Sequence, residues 1–287
     1  MSPMNNRLLV PRKTPGLLDL VPGAAAAYSL RSLSNSYADP VVTVRRSSDD
    51  AEDSFTASEV ADGTLAAFCG AGDGFVYQWW DQSGNANHAV AAADTNEPKI
   101  VDSGVIVTEE GKPAIEFNGS DNFLSADTLA TVFTGEDKPA SAFFVLKIAV
   151  AEGRDVFGFY SSTSNTPVLR PFSMGTGASA NRFQVFNRDA ASVSVNHIFG
   201  TIGAQLQHIA SISNGTSQSL YQNAVAVASS LNIDVGDITV DLCTIGATSQ
   251  SGTEARFFSG TISELIVYAD AKTDLLDLIT GNQMWYY

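Results

Sequence analysis

Short segments in which apolar and polar residues alternate run through most of the chain and predict β-strands. The segment 41–46 is rich in β-branched residues, and 75–80 forms a second strand that stops at the turn-rich sequence 81–85. Further strands are predicted at 99–107, 113–117, 142–150, 155–160, 182–186, 193–199, 207–213, 218–228, 240–246 and 256–268. Their spacing favours an all-β sandwich or jelly roll over βαβ units.

Helical patterns are few and short. An alanine-rich start predicts a helix over 24–33, and Asp62 or Thr64 is placed to begin another that runs through Phe68. A terminal helix is predicted over 274–279, with Gly281 ending it. The acidic segment 48–53 is expected to be a loop.

The first 22 residues differ from the rest and predict an extended N-terminal arm that precedes one domain, residues 23–287. Four prolines interrupt this segment, and its first 18 residues carry three basic side chains and no acid. A disordered tail is the alternative, but clustered apolar residues favour an arm that anchors to a partner surface. The predicted anchoring residues are Arg7, Leu8, Leu9, Val10, Arg12 and Lys13.

Charge narrows the classes of function. The chain has 31 acidic and 16 basic residues, a formal net charge of −15, so we expect no nucleic-acid partner.

No apolar run approaches the roughly 18 residues of a membrane span, and no apolar core of a secretory signal follows the basic N-terminus. We therefore expect a protein that stays in the cytosol or leaves the cell by lysis or assembly.

The titratable residues form no recognisable metal or triad motif. Cys69 and Cys243 are 174 positions apart, and we expect two buried free thiols in preference to a disulfide. The three histidines are far apart in sequence. The acidic clusters 49–53 and 234–241 supply oxygen ligands of the kind Ca²⁺ prefers, but without EF-hand spacing, so solvated loops are the favoured interpretation and no cofactor is predicted.

Three segments in the first third carry a family resemblance. They are Ala27-Tyr28-Ser29-Leu30-Arg31, Val44-Arg45-Arg46-Ser47-Ser48-Asp49-Asp50 and Trp80-Asp81-Gln82-Ser83-Gly84-Asn85-Ala86-Asn87-His88. In order and spacing they resemble the N-terminal part of the catalytic domain of fungal-type α-L-arabinofuranosidases, over about residues 25–90. The resemblance implies a concanavalin A-like jelly-roll β-sandwich with short helices.

The second half is similar to the wider laminin-G-like group. The similar segments are 114–124, 219–225 and 258–268. Proteins with this pairing of features also occur among phage virion and tail-associated proteins, often with a short N-terminal arm.

The catalytic groups of the arabinofuranosidases do not carry over residue by residue. In that family the nucleophile is a mid-domain Glu near two adjacent cysteines, and this chain has no adjacent cysteines. The stretch 147–165 offers only Glu152 and Asp155, in a setting that does not match the family motif. We therefore expect no catalytic residues, and a structural role for 45–50 and 81–88.

A glycan-binding role is the competing interpretation of the family-like turn at 81–88. Trp79 and Trp80 must face opposite sides of their strand, so one of them is available to stack on a sugar ring. In the scaffold interpretation, Asp81 accepts backbone N–H bonds, and Arg45 or Arg46 pairs with Asp49 or Asp81. The candidate glycan-binding residues are Trp79, Asp81, Asn85 and Asn87.

Together these features predict a non-enzymatic phage virion surface protein, either a head decoration or a tail-associated, receptor-binding protein. Its partners would be other virion proteins, contacted through the arm, and host surface glycans, and it would be a homo-oligomer. The first alternative is a glycoside hydrolase that acts on arabinose-containing polysaccharide through unrecognised carboxylates. The second is a free-standing lectin-like module.

Overall fold

The computed structural model of the protein describes residues 14–149, 154–166, 168–174, 182–189, 191–200, 203–234 and 236–287. Its first eleven strands are β1 (Ala26–Ser29), β2 (Val42–Arg46), β3 (Glu52–Phe55), β4 (Gly74–Trp79), β5 (Ala89–Val90), β6 (Lys99–Asp102), β7 (Val105–Ile106), β8 (Thr108–Glu109), β9 (Lys112–Pro113), β10 (Ile115–Asn118) and β11 (Leu124–Ser125).

The remaining strands carry the longer segments. They are β12 (Ala140–Ile148), β13 (Asp155–Tyr160), β14 (Val168–Met174), β15 (Phe183–Arg188), β16 (Ser194–Phe199), β17 (Gln207–Ser213), β18 (Ser217–Gln222), β19 (Val225–Asn232), β20 (Leu242–Ile245), β21 (Thr248–Gln250), β22 (Thr253–Ala255) and β23 (Ser259–Tyr268). The α-helices are α1 (Leu17–Leu20), α2 (Ala57–Ala61), α3 (Thr64–Cys69), α4 (Asp127–Ala130) and α5 (Leu276–Tyr286), and 3₁₀ turns lie at Asp94–Asn96, Thr131–Phe133 and Thr273–Leu275.

The strands form two antiparallel layers, which confirms the predicted β-sandwich. One layer has the order β19-β18-β17-β12-β23-β10-β6-β4-β2-β3. The other has the order β5-β11-β20-β13-β14-β15-β16. The β4–β5 pairing joins the layers at one edge. The main core lies between them and includes Val44, Val76, Trp79, Phe144 and Phe157.

A second, smaller core covers the outer face of β12 and β23. Phe143, Ile266 and Tyr268 point outward from these strands and pack against Leu17 and Val21 at the N-terminus and Leu276 and Ile279 of α5. Strands β12 and β23 are therefore buried on both faces, which explains their near-continuous apolar sequences.

The N-terminal segment differs from the predicted extended arm where the structure describes it. Leu17–Leu20 is helical, and Leu17 and Val21 are each only 1% exposed because they pack in the second core. The end of the predicted arm is thus part of the domain. The predicted anchoring residues Arg7, Leu8, Leu9, Val10, Arg12 and Lys13 lie outside the described residues.

Two helix predictions are wrong, for tertiary reasons. The alanine-rich segment 24–33 contains β1, which pairs with β23 and directs Ala26 and Tyr28 to the main core and Ala27 to the second core. Gly281 does not end the terminal helix, since α5 continues to Tyr286 and the Tyr287 hydroxyl donates to the carbonyl oxygen of Ser263 at 3.1 Å. Sheet pairing and terminal contacts therefore outweigh local propensity.

Other local predictions are confirmed. Helix α3 begins at Thr64, and Cys69 and Cys243 are both buried free thiols. The acidic segment 48–53 is only partly a loop, because β3 begins at Glu52 and pairs with β2. None of the described helices has both the length and the apolarity needed to cross a membrane.

Candidate active site

The turn after β4 holds strand β1 in place through Asp81. The Asp81 carboxylate accepts the backbone N–H of Ala27 at 2.8 Å, of Ser83 at 2.8 Å and of Asn87 at 3.0 Å. The side chain is 3% exposed. These three bonds satisfy a buried carboxylate with backbone donors, as the scaffold interpretation of this turn requires.

The other predicted glycan-binding residues are also engaged in this turn or in the core. The amides of Asn85 and Asn87 donate to the carbonyl oxygens of Ala24 and Ala25, each at 2.9 Å. Trp79 is 0% exposed, and its ring centroid lies 5.6 Å from that of Tyr28. Trp79 therefore has no open ring face, and the structure brings these residues together as a support for β1.

The two arginines of the family-like segment have different roles. Arg46 forms the predicted local pair with Asp49, at 2.7 Å. Arg45 also forms a local pair, with its Nη1 2.6 Å from Asp50 Oδ1, but it lies in a row of side chains that crosses the outer face of one layer. In this row Arg45 is opposite Phe75, Phe75 is opposite Lys99, and Lys99 is opposite Glu116.

A cleft of about 500 Å³ opens above this row and is called here the Arg45 cleft. Its remaining walls come from the 3₁₀ turn that precedes β6 and from the loop that connects β10 to β11. It is lined by Arg45, Phe75, Asp94, Thr95, Glu97, Lys99, Glu116, Asn118, Asp121 and Asn122.

Two carboxylates of this cleft lie beside one arginine, which binds one of them directly. Arg45 Nε donates to Glu97 Oε2 at 2.8 Å and lies 4.0 Å from Asp94 Oδ2, so these two oxygens are no more than about 6.8 Å apart. The local reason is the 3₁₀ turn Asp94–Asn96, because side chains three residues apart on such a turn lie on the same side.

The loop after β10 fixes the position of Glu97 from the other side. Asn122 Nδ2 donates to the Glu97 carbonyl oxygen at 3.0 Å, and the backbone N–H of Phe123 donates to the Asn96 carbonyl oxygen at 3.0 Å. The loop after β10 thus holds the backbone around Glu97, and Arg45 holds its carboxylate.

The two carboxyl groups have contrasting environments. Glu97 is 2% exposed, and burial raises the pKa of its carboxyl to about 7, although Arg45 acts in the opposite direction. Oε1 of Glu97 has no hydrogen-bond partner among the described residues. The Asp94 side chain is 75% exposed. One carboxyl is therefore half protonated near neutral pH, while its neighbour faces solvent.

This contrast is what glycoside hydrolysis requires. Glycosidases use a carboxylic acid with a raised pKa to protonate the leaving oxygen, and a second carboxylate as nucleophile or base. The two carboxyl groups are about 5–5.5 Å apart in retaining enzymes and about 6.5–9.5 Å apart in inverting enzymes. The upper limit of 6.8 Å between Asp94 Oδ2 and Glu97 Oε2 includes the retaining spacing and only the shortest inverting spacing.

The carboxylates considered from the sequence are placed elsewhere. Asp155 is 0% exposed, lies 3.0 Å from Arg256 Nε and accepts a hydrogen bond from the Thr248 hydroxyl, so it is part of a buried ion pair in the core. Glu152 lies outside the described residues. Sequence reasoning missed Asp94 and Glu97, for which the spacing Asp-x-x-Glu just before a strand was the available signal.

No histidine is among the residues that line the Arg45 cleft. Among the residues whose positions are described, no group of three or more His, Cys, Asp or Glu side chains is arranged to hold a metal ion. His88 lies in the turn after β4, where its ring centroid is 4.7 Å from that of Trp80.

Comparison with known proteins relates the chain to glycosidases. A sequence model described as the catalytic domain of alpha-L-arabinofuranosidase B matches residues 19–154, a little under half of the chain. This segment contains the turn after β4 and all of the Arg45 cleft. No curated protein matches the chain.

Solved arabinofuranosidases share the fold. A GH54 α-L-arabinofuranosidase soaked with a cyclic sulfate inhibitor superposes with a TM-score of 0.63 at 16% identity, covering 90% of this chain and 62% of its own. An arabinofuranosidase complexed with arabinofuranosyl-α-1,2-xylobiose gives a TM-score of 0.62 at 16% identity, with the same coverage. This chain thus spans less than two thirds of those proteins.

These findings correct the functional expectation. The sequence-based prediction of a non-enzymatic virion surface protein is wrong, because the matching sequence model and the structures described above come from glycoside hydrolases. The prediction depended on the missing adjacent cysteines and the unplaced carboxylates, whereas a carboxylate pair becomes visible once the Arg45 cleft is formed.

Proposed function

We propose that the chain is a glycoside hydrolase that cleaves terminal α-L-arabinofuranosyl units from polysaccharide. The observation that carries the proposal is the Asp94–Glu97 pair on Arg45, inside the segment that matches the arabinofuranosidase catalytic domain. Glu97 is the general acid and Asp94 the second carboxylate.

The reaction follows from the two environments. Oε1 of Glu97 is buried in the cleft, so substrate entry must expose it. Protonated Glu97 then transfers its proton from Oε1 to the glycosidic oxygen, and the bond between that oxygen and the anomeric carbon breaks. Arg45, already bonded to Oε2, stabilises the resulting carboxylate. Asp94 attacks the anomeric carbon to form a glycosyl-enzyme ester. In the second step ionised Glu97 removes a proton from a water molecule, and this water attacks the anomeric carbon and releases Asp94. The product retains its anomeric configuration.

Sugar contacts in this cleft differ from those that the family resemblance implies. The chain has no adjacent cysteines to contact the arabinose ring. In their place, the half-buried ring of Phe75 and the amide of Asn118 line the cleft beside the two carboxylates. These are the groups we expect to contact the sugar.

Two substrates separate the roles of the carboxylates. Replacing Glu97 with Gln should reduce the hydrolysis of arabinofuranosyl-α-1,2-xylobiose by about 10²–10⁴-fold, the usual contribution of a general acid. It should affect 4-nitrophenyl α-L-arabinofuranoside much less, because 4-nitrophenolate leaves without protonation. Asp94→Asn should abolish hydrolysis of both. Glu116→Gln, an exposed carboxylate of the same cleft, is the matched control and should retain activity.

The product configuration gives an independent check. Proton NMR of the first turnover should show the α-anomer of arabinose before mutarotation. The proposal fails if the wild-type chain releases no arabinose from either substrate, or if Glu97→Gln and Asp94→Asn both act at the wild-type rate.

A further inference from the structure

A second cleft, of about 580 Å³, lies beside the C-terminal helix and shares no lining residue with the Arg45 cleft. It is called here the Trp285 cleft. Its walls come from the start of the described chain, the segment after β1, the start of α2 and the end of α5. It is lined by Thr14, Pro15, Gly16, Leu20, Arg31, Ser32, Asn35, Ala57, Ser58, Asn282, Trp285 and Tyr286.

The aromatic wall of this cleft includes an indole ring left largely in solvent. Trp285 is 79% exposed, whereas the neighbouring Tyr287 is held on β23 by its hydroxyl bond to Ser263. The exposed side chain of Leu20, at 45%, lines the same cleft. An exposed aromatic ring with polar groups beside it is typical of a binding surface.

The polar wall is a guanidinium held rigidly by groups behind it. The Arg31 side chain is 10% exposed, and its Nε and Nη2 donate to the two oxygens of buried Glu264 at 2.8 and 3.0 Å. Nη2 also donates to Asn282 Oδ1 at 2.8 Å, and the guanidinium lies 4.5 Å from the centroid of the Tyr286 ring.

These contacts leave hydrogen-bond donors unused at the cleft. Neither Nη1 of Arg31 nor Nδ2 of Asn282 has a hydrogen-bond partner among the described residues. Both side chains line the cleft beside Trp285. Two fixed donors therefore lie next to an exposed aromatic face.

We infer that the Trp285 cleft binds a neutral sugar unit of the polysaccharide, away from the Arg45 cleft. A sugar ring presents an apolar C–H face to an indole and hydroxyl oxygens to amide and guanidinium donors. A neutral ligand is favoured over an anion because Glu264 already balances the Arg31 charge and the lining contains no other charged side chain. The choice of an arabinose-bearing polysaccharide rests on the proposed function.

Tryptophan fluorescence tests this inference in the full chain. The Glu97→Gln variant, which should bind without efficient turnover, is titrated with arabinofuranosyl-α-1,2-xylobiose. We expect a blue shift and a saturable intensity change with a millimolar Kd, about −4 kcal/mol. Adding Trp285→Ala should abolish this signal, and calorimetry should then show one binding site in place of two. Adding Met284→Ala, an exposed residue of α5 outside the cleft, should leave both readouts unchanged.

The outcomes separate this inference from the proposed function. Trp285→Ala alone should hydrolyse 4-nitrophenyl α-L-arabinofuranoside at the wild-type rate, because the Arg45 cleft is intact. If Trp285→Ala leaves the binding signal unchanged, or no signal occurs, the inference is wrong even when hydrolysis is normal. A sugar-independent dimer in sedimentation that Trp285→Ala dissociates would also overturn it. Binding without hydrolysis by the wild-type chain would refute only the proposed function.

Discussion

Replacing buried Glu97 with Gln should change how the stability of the protein depends on pH. Burial raises the pKa of the Glu97 carboxyl from 4.5 to about 7 in the folded chain. Between these values the folded state binds more protons than the unfolded state, so the free energy of unfolding falls as pH rises. The full effect is roughly 3 kcal/mol at about 1.36 kcal/mol per pH unit.

The measurement is urea denaturation, followed by tryptophan fluorescence, between pH 5 and pH 8.5, a range that avoids the sequence isoelectric point near 4.4. Roughly 2.5 kcal/mol of the effect falls within it. Glutamine has the shape of the protonated acid and does not titrate. The stability of Glu97→Gln relative to wild type should therefore increase by that amount as pH rises.

Glu116→Gln provides the control, since this exposed carboxylate lies in the same cleft. Its stability relative to wild type should change by less than about 0.5 kcal/mol over the same range. A flat difference for Glu97→Gln would refute the burial argument. A difference of opposite sign would mean that the attraction of Arg45 exceeds the cost of burial.

Three further predictions concern activity and the buried polar groups. The kcat/KM for arabinofuranosyl-α-1,2-xylobiose should fall about tenfold per pH unit above pH 7, as Glu97 loses its proton, and a rate still rising at pH 9 would contradict this. Glu264→Gln leaves the charge of the buried Arg31 guanidinium without a counter-charge, so the free energy of unfolding measured by urea denaturation should fall by about 3–5 kcal/mol. A loss below about 1 kcal/mol would contradict this prediction. Asp81→Ala removes the acceptor of three backbone N–H groups and should cost roughly 2–4 kcal/mol, whereas an unchanged denaturation midpoint would exclude the scaffold role.

The two wrong helix predictions show where local helix propensity fails to predict the secondary structure. Ala24–Ala27 has high helix propensity, yet two of its residues lie in β1, because pairing with β23 buries Ala26 and Tyr28 on one face and Ala27 on the other. Gly281 is a common helix terminator, yet α5 continues past it. In both cases contacts with residues far away in sequence outweigh a local preference of about 1 kcal/mol per residue.

Much of the architecture could be predicted from the amino-acid sequence alone. Alternating apolar residues predicted most strands and the sandwich, because a strand with one buried face must repeat every two residues. The Arg46–Asp49 pair was one of the arginine–aspartate pairs that the sequence allowed, and the buried thiols Cys69 and Cys243 followed from residue type. So did the role of Asp81 in the turn, since short-range geometry determines each of these features.

Only the tertiary structure decided where the chemistry lies. Arg45 and Glu97 are 52 positions apart, and Arg31 and Glu264 are 233 positions apart, so only the tertiary fold brings each pair together. The raised pKa of Glu97 also depends on burial under the loop that connects β10 to β11, which no local pattern in the sequence predicts. The pKa of a titratable group depends on its burial and on nearby charges, and in this sandwich both are determined by parts of the chain that are distant in sequence.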